Sequence, residues 1–474
     1  MDVDTILVVI TLAAGLYMAW NIGANDVANA IGTSVGSGAL TLKQAVVIAA
    51  VLEFCGAFFF GSHVTDTVQN GLVNPEVFSS TPMIFVFGML SALLAAGIWL
   101  QLASYFGWPV STTHSIVGAI VGFGLIVGGM DAIYWSNVAF ITVAWLLSPI
   151  FGGVLAYIIF NILRKYIFFA ACPVDAAKRL TPYIVFVFVT TLSVIMLFKG
   201  LEGVRLPLTL WQLAMLCLAI GIVASLISYF LVRRISLPNK SVTHPPEFSP
   251  ETLYSLEKVK KHLKKVRNSS SGEMQYHASL LLDDVRHLVR SSQQQEEVHT
   301  NEYAVVEKIF GRMQIMSACA MAFAHGANDV ANAIGPLSAA INVLMTGTIA
   351  LHTTSIPTWA LALGGVGIIV GLATWGWRVI ETIGRKITEL TPTRGFSAEF
   401  GAALTIVFAS RMGLPVSTTH TLVGAVLGVG LARGIEALNL NTTRDIFISW
   451  VVTVPAGAAI SCGCFFILNT IFTS

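Results

Sequence analysis

The chain has 474 residues, of which 55% are hydrophobic and 11% are charged, whereas soluble domains contain about 25% charged residues. No Asp, Glu, Lys or Arg occurs between Val77 and Met130 or between Val330 and Trp377. Since about 20 apolar residues cross a bilayer core, the first stretch is long enough to cross twice. This composition excludes a soluble enzyme, a nucleic-acid-binding protein and a disulfide-bonded secreted scaffold. It predicts an all-α polytopic membrane protein that is not an enzyme.

Twelve apolar segments are long enough to be membrane crossings. In chain order they are 3–24, 43–62, 82–105, 108–130, 136–161, 181–199, 208–232, 309–325, 357–378, 396–412, 415–433 and 446–470. The segments 108–130 and 415–433 are rich in glycine and begin at a proline, so re-entrant hairpins are the alternative for them. Basic residues of the short loops gather on the side of the polar stretch 233–308. The positive-inside rule therefore predicts that this stretch is cytoplasmic and the N-terminus external, and a bacterial inner membrane is expected.

The polar stretch predicts a cytoplasmic loop domain built from two helices. Ser249, Pro250 and Glu251 form a typical helix start, and apolar residues follow them at helical spacing. A second amphipathic helix is predicted from about Met274 to Val289. The histidines of this stretch have no tight metal-ligand spacing, so a packed helical hairpin is the favoured interpretation.

An internal duplication is the most informative feature of the sequence. Residues 23–32 read GANDVANAIG and recur identically at 326–335, while residues 109–114 read PVSTTH and recur at 415–420. Each copy holds five predicted crossings and two more lie between the copies, so equivalent segments are seven crossings apart and enter from opposite faces. This relation predicts an inverted-topology repeat, which is typical of alternating-access carriers. The predicted domains are repeat 1 (1–162), two linking helices (163–235), the cytoplasmic helical loop domain (236–307) and repeat 2 (308–474).

The first motif predicts a cation site. In a helix, Asn25 and Asn29 lie one turn apart with Asp26 beside them, which gives an oxygen-rich patch without a basic partner. Carboxylate and amide oxygens without nitrogen or sulfur ligands suit a hard cation. Hydrogen bonding between helices is the alternative. The same residue types recur in the second copy, at Asn328, Asp329 and Asn332.

Two further acids lie in apolar segments and are interpreted as cation ligands or proton carriers. They are Glu53 and Glu399, and an ionised side chain at bilayer depth costs about 2.5–3.5 kcal/mol, so each needs a partner. They are not equivalent in the repeat, because Glu53 aligns with about Ile368 and Glu399 with Leu93. The second copy also carries His325 where the first has Ile22.

The second motif predicts an anion site. Proline favours the first turn of a helix, where the backbone N–H groups lack internal partners and the helix dipole is positive. Hydroxyls at the same place can donate to an anion, beside Asp26 and Asp329. Those hydroxyls belong to Ser111, Thr112, Thr113, Ser417, Thr418 and Thr419. The alternative is that they bond to their own helix carbonyls, and His114 and His420 either carry protons or anchor the turn.

On these two duplicated motifs, the sequence resembles the inorganic phosphate transporter (PiT) family, most closely its sodium-dependent and plastid-type branch. The resemblance covers both repeats and leaves the central loop unmatched. It implies symport of inorganic phosphate with sodium or protons around a site near the bilayer midplane. The motif positions carried over are Asn25, Asp26, Asn328, Asp329, Ser111 to Thr113 and Ser417 to Thr419, and Glu53 and Glu399 match acids that the family needs.

The resemblance favours sodium as the coupling ion, because both copies read Asn-Asp rather than the His-Asp of proton-coupled enterobacterial members. Sodium is expected at the cation-binding residues, and no cofactor is expected. The expected partners are phosphate, sodium and the lipid bilayer, with no nucleic acid, and a homodimer is left open. A proton-coupled or metal-phosphate symporter is the alternative. A cation-only carrier and an intramembrane aspartyl protease are more remote, because neither uses the hydroxyl-rich motif.

Overall fold

A computed structural model of the chain describes residues 3–197, 208–235, 250–269, 273–349, 356–377, 379–380, 390–434 and 438–473. Within these ranges the secondary structure is helical, apart from one isolated β-bridge between Val73 and Ile133. The expected all-α architecture is therefore confirmed. Parts of the predicted loop domain, residues 236–249 and 270–272, lie outside the described residues, as does the loop 199–207.

The helices are numbered here in chain order over the described residues. They are α1 (Val3–Gly36), α2 (Leu42–Phe60), α3 (Ser62–Asn70), α4 (Pro82–Phe106), α5 (Thr112–Gly128), α6 (Trp135–Leu163), α7 (Pro173–Leu197), α8 (Leu210–Arg233), α9 (Pro250–Ser269), α10 (Glu273–Thr346), α11 (Thr358–Trp375), α12 (Pro392–Arg411), α13 (Thr418–Arg433) and α14 (Leu440–Thr473).

Eight of the twelve predicted crossings correspond to helices that are long and apolar enough to span a bilayer. These are α1, α2, α4, α6, α7, α8, α11 and α14. The other four segments are helical too. The helix α5 is shorter, with 17 residues, and the remaining three lie in α10, α12 and α13. The chain is thus an integral membrane protein with several crossings.

Two predicted boundaries are wrong. The amphipathic helix expected at about 274–289 and the crossing expected at 309–325 belong to one helix, α10, which is 74 residues long. Residues 290–308 contain neither glycine nor proline, so nothing in that stretch interrupts the helical hydrogen bonding. The first helix likewise continues beyond residue 24 and carries the whole polar motif to Gly36.

The chain forms two compact units. One comprises residues 1–162, 185–224 and 310–474, and it contains both copies of both motifs. The other comprises residues 163–184 and 225–309, where Lys178 donates to the carbonyl oxygen of Ile235 at 2.7 Å and the ring of Tyr303 stacks on Phe168.

The helices that carry the two copies of the first motif run antiparallel. Gly15 packs on Leu337, Asp26 lies 3.9 Å from His325, and the hydroxyl of Ser37 donates to the side-chain oxygen of Gln314 at 2.6 Å. Each step of eleven residues along α1 is therefore matched by a backward step of eleven or twelve residues along α10. Such contacts require opposite helix directions, as an inverted repeat predicts.

Each copy also packs on the other through equivalent helices. A Cβ on Gly23 of α1 would lie 1.9 Å from the carbonyl oxygen of Ile368 on α11, and a Cβ on Gly326 of α10 would lie 2.1 Å from that of Glu53 on α2. Both contacts allow only glycine, because the backbone of one helix touches the other. Equivalent glycines thus meet equivalent helices of the opposite copy. These contacts agree with the predicted inverted repeat.

Candidate functional site

The two motifs, which the sequence suggests as two separate sites, form one network in the structure. The side-chain amide of Asn29 donates to the hydroxyl of Thr419 at 2.7 Å, and the amide of Asn332 donates to those of Thr112 and Thr113, each at 3.2 Å. Each acidic motif therefore contacts the hydroxyl motif of the other copy. All these side chains are buried.

Both aspartates join the same network. The hydroxyl of Thr418 donates to the carboxylate of Asp329 at 2.8 Å, and that of Thr419 donates to Asp26 at 3.3 Å. Hydrogen bonds to a carboxylate are stronger than bonds between neutral groups, so they fix the orientation of both acids. The predicted cation residues and the predicted anion residues are consequently in direct contact.

The starts of α5 and α13 contact each other. The hydroxyl of Thr113 donates to the carbonyl oxygen of Val416 at 3.1 Å, and that of Thr419 shares its one hydrogen between Asp26 and the carbonyl oxygen of Val110, which lies 3.2 Å away. Thr113 and Thr419 thus bond across copies and not to their own helices. The serines cap their own helices instead: Ser111 and Ser417 accept from the amides three residues ahead. A hydroxyl that accepts in this way still has its own hydrogen to donate.

Two serines that the sequence reasoning missed hold the first asparagine of each motif. Asn25 donates to the hydroxyl of Ser104 at 2.9 Å, and Asn328 donates to that of Ser410 at 3.0 Å. Both serines end the helix before the second motif and are 306 residues apart, the offset of the PVSTTH motif. That shared offset is the signal that could have identified them.

The side-chain oxygen of Asn328 lies among other oxygens. In the orientation that matches Asn25, this oxygen is 3.0 Å from a carboxylate oxygen of Asp329 and 2.9 Å from the carbonyl oxygen of Val416. Three acceptors at this distance repel one another unless a positive group lies among them. Either the amide is turned over and donates to both oxygens, or a cation is held by all three.

Further oxygens of the same motifs have no hydrogen-bond donor among the described residues, although they are fully buried. They belong to the side chains of Asn25, Asp26, Asn29 and Asn332. A buried acceptor without a donor costs about 1–3 kcal/mol. Four such atoms in two duplicated motifs form a set of ligands suited to a cation, because they are all amide or carboxylate oxygens.

A buried histidine lies at the centre of three carboxyl groups. Nε2 of His325 is 3.0 Å from Asp329 and 3.9 Å from Asp26, and its Nδ1 is 3.2 Å from Glu53. One imidazole carries at most one positive charge, so three ionised carboxylates would leave a net charge of −2 in the membrane interior. Cations or protons must compensate that charge. Asp26, His325 and Asp329 also place one ligand atom each within 4.8 Å of the others, as a metal site requires.

The histidine and its glutamate both stand where the other copy has an apolar residue. The equivalents of His325 and Glu53 are Ile22 and Ile368, which are also fully buried. A polar pair in one half therefore replaces an apolar pair in the other. The sequence marked both departures from symmetry, but it gave no sign that the two residues face each other, and His325 was not among the predicted ligands.

Glu399 lies apart from this cluster. Its carboxylate accepts hydrogen bonds from the hydroxyls of Thr33, Ser34 and Ser317 and from the amide of Gln314. Thr33 follows Asp26 by seven residues on α1, which is about 10 Å along a helix. The prediction that grouped Glu399 with the other cation residues thus joins two places that the structure separates.

Comparison with known proteins identifies the family. The sequence profile of the phosphate transporter family matches residues 22–461. The chain belongs to the phosphate transporter family. It is 46% identical over 456 residues to the chloroplastic inorganic phosphate transporter 2-1 of Arabidopsis thaliana, covering 95% of this chain and 70% of that protein. It is 45% identical over 470 residues to a candidate phosphate permease of Chlamydia pneumoniae, covering 98% of this chain and 99% of that protein.

A solved structure supports the same assignment. The sodium-dependent phosphate transporter has 36% sequence identity to this chain and a TM-score of 0.78, with 98% of this chain and 100% of the other covered. The resemblance drawn from the duplicated motifs is therefore confirmed. Membership in a family of transporters is consistent with the expectation that the chain is not an enzyme.

Proposed function

We propose that the chain is a symporter that moves inorganic phosphate together with sodium by alternating access around the duplicated network. The observation that carries this proposal is the direct contact between oxygens suited to a cation and two helix starts suited to an anion. The name of the sodium-dependent relative supports sodium as the coupling ion. A bacterial plasma membrane with a cytoplasmic central stretch remains part of the proposal.

Phosphate would bind where α5 and α13 begin. The backbone N–H groups of both first turns and the hydroxyls of Ser111 and Ser417, which accept a capping bond and keep a hydrogen to donate, provide neutral donors. The hydroxyls of Thr112, Thr113, Thr418 and Thr419 would join them by giving up their present hydrogen bonds. Neither motif contains Lys or Arg. A carrier has to release its anion, and neutral donors hold phosphate less tightly than a bidentate arginine would.

Sodium would bind among the oxygens of the two motif copies, several of which have no donor in the described part of the chain. One set comprises the side-chain oxygens of Asn328 and Asp329 with the carbonyl oxygen of Val416, the last two of which also accept from threonine hydroxyls. The equivalents in the other copy are Asn25, Asp26 and Val110. The unmatched negative charge of the carboxyl cluster favours cations at this place. Hard cations prefer oxygen ligands of this kind.

Coupling would follow from charge. Phosphate and an ionised aspartate about 5 Å apart repel each other by about 3 kcal/mol at an effective dielectric constant of 20. A sodium ion on Asp26 or Asp329 removes that repulsion and so raises the affinity for phosphate. By linkage, phosphate raises the affinity for sodium by the same factor.

Proton coupling is the second candidate, and the position of His325 favours it. An imidazole between three carboxyl groups can gain or lose a proton as cations leave or enter. In that case a proton gradient alone would drive uptake.

Reconstituted liposomes distinguish these functions. We expect radiolabelled phosphate to accumulate under an inward sodium gradient at equal pH on both sides, and not under a proton gradient without sodium. Accumulation under the proton gradient alone would favour the second candidate. No accumulation under either gradient, in vesicles shown to be sealed and to contain folded protein, would reject phosphate symport.

A further inference from the structure

Two tryptophans occupy equivalent positions beside the starts of α5 and α13. Trp145 of α6 packs on His114, with ring centroids 3.9 Å apart, and Trp450 of α14 packs on His420 at 3.6 Å. The two imidazoles contact each other, with centroids 4.3 Å apart. A continuous row of four rings therefore joins the two copies behind the proposed phosphate site.

The helices that carry the tryptophans are in equivalent register. Gly118 of α5 packs on the backbone of Val454 in α14, and Gly424 of α13 packs on the backbone of Pro149 in α6. The two contacted residues, Pro149 and Val454, are 305 positions apart in the sequence. Trp145 and Trp450 are separated by the same 305 positions. The two indole rings are therefore true counterparts, and a difference between their bonds is a difference between the halves.

Their hydrogen bonding does differ. The indole N–H of Trp145 donates to the carbonyl oxygen of Pro415, the first residue of the second PVSTTH motif, at 2.9 Å. The counterpart of that acceptor is the carbonyl of Pro109. The indole nitrogen of Trp450 is buried and has no hydrogen-bond partner in the described part of the chain. One half has made this bond, and the other has not.

A cavity lies between α14 and Pro109, the counterpart acceptor, although Trp450 itself is not among its lining residues. It has a volume of about 540 Å³, and its walls include Trp108 and Pro109 on one side and Ile446, Ser449 and Val452 of α14 on the other. The helix α14 thus stands away from Pro109, whereas α6 is joined to Pro415. The unpartnered indole of Trp450 shows the asymmetry directly, and the cavity shows that α14 has room to approach Pro109.

We propose that Trp145 and Trp450 are alternating latches, each of which closes one side of the carrier by bonding to the first carbonyl of the opposite copy's PVSTTH motif. In the second transport state, Trp450 bonds to Pro109 and Trp145 is released. The inference rests on the proposed alternating access, in which inverted repeats exchange their conformations. Each state then has one satisfied and one unsatisfied indole, so the exchange leaves the number of latch bonds unchanged.

Cysteine labelling tests the latches directly. In a background with the six native cysteines replaced by serine, Ser449→Cys reports on the cavity beside Pro109 and Ala144→Cys reports on the equivalent place beside Pro415. The measured quantity is the ratio of the two labelling rates with a maleimide. A single symmetric peak on size exclusion for each background confirms that the protein is folded.

Loss of one latch bond should shift this ratio in opposite directions for the two tryptophans. One neutral hydrogen bond changes a population ratio about fivefold. We expect Trp145→Phe to lower the ratio of labelling at 449 to labelling at 144 by about that factor, and Trp450→Phe to raise it. The double variant should return towards the wild-type ratio. Trp135→Phe is the matched control, because this indole of α6 donates at 3.0 Å to nearby Met130 and should leave the ratio unchanged.

Replacement of either tryptophan by 3-benzothienylalanine keeps the bicyclic ring and removes only the N–H, which separates the bond from the packing if a phenylalanine variant fails to fold. Shifts in the same direction, or ratios within about twofold of wild type for both analogues, would overturn the latches. Labelling requires no phosphate. Failure of the proposed function would appear separately, as absent uptake by the wild-type protein.

Discussion

The contact between His325 and Glu53 can be tested with substitutions taken from the other copy of the repeat. We expect His325→Ile and Glu53→Ile each to destabilise the protein strongly, and the double variant to be nearly as stable as wild type. His325→Ile leaves the buried carboxyl of Glu53 without its imidazole, and Glu53→Ile leaves Nδ1 of His325 without the carboxyl it faces, while Nε2 still faces Asp329. The double change installs the isoleucine pair that the other half already contains, at Ile22 and Ile368.

The magnitude follows from the geometry. Opposite charges 3.2 Å apart attract each other by about 5 kcal/mol at an effective dielectric constant of 20, and removal of one partner of a buried pair typically costs about 3–5 kcal/mol. Each single variant should therefore lose about that much. The double variant loses the attraction but also avoids the desolvation of both groups, so its net change should be about 1 kcal/mol or less.

A double-mutant cycle measures this coupling. The purified variants are compared by fluorescence-detected unfolding in detergent with sodium present, so that Asp26 and Asp329 keep a source of positive charge. The control cycle combines His325→Ile with Glu399→Gln. The carboxylate of Glu399 contacts Ser317, which lies eight residues or about 12 Å before His325 along α10. The stability changes caused by substitutions at sites so far apart usually add. If the losses of the two isoleucine variants simply added, the contact between His325 and Glu53 would carry no energy and the reasoning would be refuted.

Three further outcomes are expected. Asp26→Asn and Asp329→Asn should each lower sodium-driven phosphate uptake about 10- to 100-fold while the protein elutes normally on size exclusion, and near-normal uptake in both would contradict the sodium role. Thr113→Val should lower the unfolding free energy by about 1–3 kcal/mol, seen as a lower unfolding midpoint, because a buried amide loses an acceptor. Gly23→Ala should destabilise the protein by a similar amount or more, since its Cβ would lie 1.9 Å from a backbone oxygen, whereas Gly463→Ala, with open space around it, should be neutral in the same melt.

The sequence predicts those features that depend on repetition. Two identical copies of GANDVANAIG and PVSTTH indicate a duplication, and parity of crossings then predicts the antiparallel relation that the contacts of Gly15, Asp26 and Ser37 display. What the motifs do not reveal is that they meet across copies. Asn29 and Thr419 are 390 residues apart, and no local rule relates them.

Features present in only one copy are harder to predict from the sequence. His325 and Glu53 each stand opposite an apolar residue in the alignment of the repeats, so no counterpart points to their contact. Glu399 was recognised as a buried acid, but its donors Thr33 and Gln314 come from two distant helices. The continuity of α10 is a different case: its polar and apolar parts look like separate elements, although no residue between them breaks a helix.

The cross-copy contacts also explain why the motifs of the two halves can be identical while their surroundings differ. Asn332 donates to Thr113, and the equivalent Asn29 donates to Thr419, so a change in either motif alters a contact that involves both copies. Under the proposed alternating access, identical sequences would keep these contacts equivalent when the two halves exchange conformations. His325 and Glu53 contact no counterpart of themselves, so they can diverge without breaking that equivalence. A buried ionisable pair in one half alone would then make the two proposed conformations differ in electrostatic energy, and a bound cation would change that difference.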